Sequence, residues 1–144
     1  MGRNVRKVPG NWQHPKDAKG LYIPLFGGPY SVVAAQWDKD EQDWNNGFCD
    51  DGTGKLVELS DDQKGHPYSW YDDERPKAKD FMPEWPEEQR THFMMYETTT
   101  EGTPISPTFE TKEELAHWLT NNNVSVFADN LTDFEGWMNI IQDD

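Results

Sequence analysis

The sequence predicts an α+β fold, a small antiparallel sheet flanked by about three helices, with an extended N-terminal arm. Two stretches near the C-terminal end each set a Thr three residues before a Glu and then carry apolar residues at helical spacing. A third helical pattern follows Ser31, and short apolar runs elsewhere are bounded by Gly, Pro, Asp and Thr in the manner of strands and hairpins.

Residues 1–30 read as an arm. Pro9, Pro15, Pro24 and Pro29, with Gly10, Gly20, Gly27 and Gly28, break every candidate helix, and Trp12, Tyr22, Ile23, Leu25 and Phe26 are the expected anchors on a single domain spanning 31–144. The first helix is expected from Ser31, as N-cap, to Asn46, with Tyr30, Val33, Ala34, Trp37 and Trp44 on one side and Gly47 as the stop. Residues 48–57 read as a hairpin around Gly52-Thr53-Gly54, Ser60 to Gln63 as a brief capped turn, and 64–88 as an aromatic-anchored loop with one short helix near 68–74. Thr91 to Glu97 is a strand, Thr98 to Pro104 a loop, and Ser106 to Phe109 a second short strand. Thr111 with Glu114 opens a helix carrying Leu115, Ala116, Trp118 and Leu119, and Thr132 with Glu135 opens a last one carrying Phe134, Trp137, Met138 and Ile141.

At 144 residues the chain has the size of one domain, and although only 34% of it is apolar, seven Trp, seven Phe and five Tyr supply large rings for a core. Charge is distributed unevenly along it. Residues 1–20 hold five Lys/Arg against one Asp/Glu, a net +4, so residues 21–144 carry −18 of the total −14. Such a body repels phosphate, which argues against sequence-independent nucleic-acid or anionic-membrane binding except through the basic arm, where Arg3, Arg6 and Lys7 offer the alternative of a nucleic-acid-binding or virion-associated accessory protein. It favours a partner protein with a basic surface, and the acids at Asp38, Asp40, Glu41 and Asp43 and at Asp72, Asp73 and Glu74 are the candidate binding residues. Carboxylates spaced along helices and loops can imitate the phosphate array of a duplex; the plainer alternative is that they keep the protein dissolved.

Catalytic patterns are sparse. His92, Tyr96 and Glu97 are the best candidates for an enzymatic or small-ligand pocket, because alternate strand residues His92, Met94 and Tyr96 share a face, yet no nucleophile and base stand at a recognised spacing and a packed strand is the preferred reading. Four His and one Cys show no metal-ligand spacing, Gly52-Thr53-Gly54-Lys55 is a turn and not a complete phosphate loop, and no metal or cofactor is expected. The lone Cys49 cannot close an intrachain disulfide, and no apolar run approaches the ~20 residues of a membrane span, so a cytoplasmic setting is expected.

The segments Arg3-Asn4-Val5-Arg6-Lys7-Val8-Pro9, Trp12 with His14-Pro15, Met82-Pro83-Glu84-Trp85-Pro86, and Thr99-Thr100-Glu101-Gly102-Thr103-Pro104-Ile105-Ser106-Pro107 resemble a family of small acidic proteins encoded by tailed phages and prophages. The resemblance implies an accessory protein made inside a bacterial host, where small acidic phage proteins often inhibit host defence or host enzymes. It implies no catalytic residues.

Overall fold

A computed structural model describes residues 2–127 and 129–143. The fold is α+β, with two small antiparallel sheets and four α-helices among those residues. By its contacts the chain divides into two units. Unit 1 combines the chain up to Gly27 with the chain from Pro83 onward, and unit 2 is Gly28–Met82.

In unit 1, the expected arm begins as a strand. β1 (Arg3–Val8) pairs antiparallel with β4 (His92–Glu97), in register from Arg3 opposite Glu97 to Val8 opposite His92. The run RNVRKV has no apolar alternation of its own, so only the distant partner strand makes it β. β4 is central, and β5 (Thr103–Pro104) pairs on its other side. β5 therefore falls inside the stretch read as loop, while Phe109, expected in a strand, makes a single bridge to Phe93. Of the expected arm anchors, Leu25 is buried and Trp12 half-buried, whereas Tyr22, Ile23 and Phe26 stay exposed.

α3 (Lys112–Asn121) and α4 (Phe134–Asp143) cover one face of this sheet. The Thr111 hydroxyl accepts from the Glu114 amide at 3.1 Å, satisfying a donor that the first helical turn leaves free. At α4 the cap is Asp133 and not the expected Thr132: its Oδ1 accepts from the Gly136 amide at 2.9 Å and its carbonyl from Trp137. An N-cap oxygen reaches the third helical amide, and counted from Asp133 that amide is Gly136. Met95, Leu115, Ala116, Leu119, Trp137 and Ile141 form the fully buried core, with Phe109, Trp118, Phe134 and Met138 packed around it.

Unit 2 is built on α1 (Tyr30–Asn45), the hairpin β2 (Phe48–Asp50) and β3 (Leu56–Glu58), and the single-turn α2 (Tyr68–Tyr71). Pro29, not Ser31, occupies the cap position of α1, and its fixed φ leads the chain into the helix two residues early. Gly47 ends α1 at φ 97°, a conformation glycine adopts without a Cβ clash. Trp44, Cys49, Leu59 and Tyr68 make the core of this unit. Val33, expected to face inward, is 38% exposed beside Val32. In the hairpin loop, Asp50 Oδ1 accepts from the amides of Gly52 and Gly54 and Asp51 Oδ1 from that of Thr53, so the glycine turn is closed by its own acids.

Candidate functional site

On unit 2 the two acidic groups far apart in sequence are brought side by side. Trp37 on α1 donates its indole N–H to the Asp73 carbonyl at 3.0 Å, and Arg75 grips Asp38 with two bonds of 2.8 and 3.0 Å. The Arg75 guanidinium holds the Asp38 carboxyl below its usual range. Between these fastenings lies a groove of about 450 Å³ with Val32, Val33, Trp37 and Pro76 as its apolar lining and Asp40 and Asp72 on it. Asp40 also lines a neighbouring hollow of about 200 Å³, together with Asp43, Asp50 and Tyr71. Asp43 lies 3.9 Å from Lys39, and Asp72 accepts from the Tyr68 hydroxyl, which burial and then the Asp72 charge push upward. Asp38, Glu41, Asp73 and Glu74 line neither hollow.

The proposed catalytic trio is not assembled. Strand alternation holds as expected, with Phe93 and Met95 toward the helices and Met94 and Tyr96 on the opposite face. His92 lies against Gly10, bonded to the Thr91 hydroxyl at 2.8 Å and 4.0 Å from Glu110. Glu97 accepts from the Thr99 hydroxyl at 2.8 Å and sits 3.8 Å from Arg3. Tyr96 is fully buried. Its hydroxyl accepts from the Trp12 indole at 3.0 Å and bonds His14 Nδ1 at 2.9 Å, and the Arg6 guanidinium stacks 4.2 Å from its ring centroid.

Two of the three arm cations are likewise taken up by the fold. Arg3 donates to the Ser125 carbonyl and hydroxyl, and Arg6 to the Leu25 carbonyl at 2.8 Å; Lys7 is exposed. Among the described residues, no group of three or more His, Cys, Asp or Glu is placed to hold a metal ion.

Above Tyr96 lies a cleft of about 700 Å³ in unit 1, and neither His92 nor Glu97, expected beside Tyr96 at a pocket, lines it. Trp12, His14, Lys16, Tyr22, Met94 and the run Pro104 to Pro107 line it. Ser106 is fastened there, accepting from the Met95 amide at 2.9 Å and donating to the Pro107 carbonyl at 2.8 Å. His14 Nε2 lies 2.6 Å from the Ile23 carbonyl. A His-Pro pair after a Trp was visible in the sequence, but nothing local ties it to a strand some eighty residues later.

Burial, more than the nearby Arg6 charge, lowers the pKa of His14, against the opposing pull of the Ile23 carbonyl. The folded state therefore binds this proton less readily than the unfolded chain, and stability is expected to fall as pH drops below about 6.5. Urea midpoints from pH 7 to pH 5 check this: the wild-type decline exceeds that of His14→Gln, which has no imidazole to titrate.

No family model, curated protein or solved structure matches the chain. No helix among the described residues is long and apolar enough to cross a membrane.

Proposed function

We propose that this chain is a non-enzymatic binding protein that docks a partner protein with a basic surface on the carboxylate-bordered face of unit 2. What supports this reading most is the position of Asp40, shared by two adjoining hollows, so that Asp43, Asp50, Asp40 and Asp72 border one stretch of surface with an apolar lining beside them. Exposed Val32, Val33, Trp70 and Tyr71 on the same unit supply area that water exclusion favours, while the carboxylates select a cationic partner and speed its approach. In the setting that the phage resemblance implies, the partner is a host protein that handles nucleic acid, and occupying its cationic groove inhibits host defence. Engagement of Arg3 and Arg6 within the fold ranks nucleic-acid binding by the arm below this reading.

The test is a pull-down from bacterial host lysate over a salt series, with partners identified by mass. Wild type should capture a basic nucleic-acid-binding protein at about 50 mM salt and release it at several hundred millimolar, as screening removes the attraction. Replacing Asp40, Asp43 and Asp72 by their amides should weaken capture about tenfold. Equal capture by that variant, or no basic partner at low salt, would sink the proposal.

A further inference from the structure

We propose that the cleft of unit 1 is a binding site for a small organic anion carrying a flat ring, the ring against Trp12 and Tyr22 and the anionic group on Lys16 Nζ. This site is independent of the groove on unit 2. Its volume, about 700 Å³, falls within the range that holds small ligands.

The walls are held in place before any ligand arrives. His14 and Ser106, buried polar side chains of this chain, both line the cleft, and each has its hydrogen bonds made from beneath or beside it. Trp12 is fixed by its bond to Tyr96 and by the edge of Trp85, whose ring centroid lies 4.8 Å away. Burying polar groups is costly unless they are fully paired, and a paired network under a cleft sets its shape rigidly.

Charge then selects the ligand. Unit 1 carries fourteen Asp/Glu against seven Lys/Arg, yet of the described residues lining the cleft Lys16 alone is charged and none is a carboxylate. The sign of the surface is reversed there. The adjacent Asp17 is turned into the loop that follows, its Oδ1 accepting from the backbone amides of Lys19 and Leu21, and it does not line the cleft. That loop brings Lys16 opposite Tyr22, with Nζ over the ring at 5.0 Å from its centroid, so the aromatic ring holds the cation at the cleft. A lysine suits a phosphate or a carboxylate equally as a point charge, and the aromatic and proline faces suit a planar ring.

The experiment titrates the full chain with adenosine 5′-monophosphate in one arm and indole-3-acetate in the other, each beside its neutral analogue, adenosine or indole-3-ethanol. Chemical shifts of the Trp12 indole N–H and the Ile105 amide report the cleft. At least one acid should move both signals with a Kd of about 1 mM or tighter. Its neutral analogue should bind about tenfold more weakly, a difference that Lys16→Gln abolishes. Tyr22→Ala should weaken acid and neutral analogue alike; both side chains are exposed, so neither change threatens the fold. Which arm responds tells phosphate from carboxylate. Silence of both signals in both arms up to about 5 mM, or equal binding of acid and neutral forms to wild type, would overturn the assignment.

Discussion

Trp137→Ala is expected to destabilise unit 1 by about 3–5 kcal/mol, the upper range for emptying a large buried ring. Trp137 is fully buried among Met95, Leu115, Ala116, Leu119 and Ile141, on the face where both C-terminal helices meet the sheet. Its loss leaves a cavity that the surrounding packed side chains fill only in part. A total stability of about 5–15 kcal/mol would be cut by a large fraction. The companion variant Trp137→Phe should cost far less, because the indole N–H is buried without an acceptor and phenylalanine removes that group while keeping most of the ring. Urea unfolding followed by far-UV circular dichroism checks both; equal losses for the two variants would show that volume alone does not govern the site.

Gly102→Ala is expected to cost roughly 2–5 kcal/mol, combining a strained backbone with a collision. Glu101 and Gly102 close the loop between β4 and β5 at φ 66° and 108°, and the second value lies where a side chain is rarely found. A Cβ there would run into the Leu25 carbonyl oxygen and the Arg6 guanidinium. The Gly102 carbonyl itself accepts from the Leu25 amide at 3.0 Å, so the loop is latched to the segment that carries Tyr22. Gly20→Ala is the comparison: its φ is 81° but a Cβ would meet nothing within 4 Å, leaving only the backbone penalty, about 1 kcal/mol. Thermal melting of the two variants should separate strain from collision, and the Gly102 change should also loosen the cleft.

Helices with their own caps were legible because their signals are short in range. Thr111 with Glu114, and the stripe from Phe134 to Ile141, can be read within a dozen residues, and only the exact cap of α4 moved, by one position. The hairpin at 48–58 was legible for the same reason, since Asp50 and Asp51 close it locally. β1 was not, because its pairing joins residues more than eighty positions apart. Val33 was misplaced because helical spacing says which residues share a face and not how much of that face another element covers.

The candidate sites divide likewise. Residue type pointed to 38–43 and 72–74 as binding acids, and the fold sets Asp40 and Asp72 on one groove through the Trp37 bond to Asp73 and the Arg75 bond to Asp38. Trp12, His14 and Lys16 carried no such signal, and their cleft exists only because Tyr96 lies beneath them.

By itself the sequence determined the α+β class, the two C-terminal helices, the first hairpin and the acidic excess, all of which follow from local capping, periodicity and composition. Tertiary structure decided where the charge goes. A chain that reads as +4 followed by −18 folds into two units of −7 each, seven Lys/Arg against fourteen Asp/Glu in one and six against thirteen in the other. The basic segment pairs with a strand from the acidic body, and that pairing rests on hydrogen bonds between residues far apart in the chain, which no local pattern encodes.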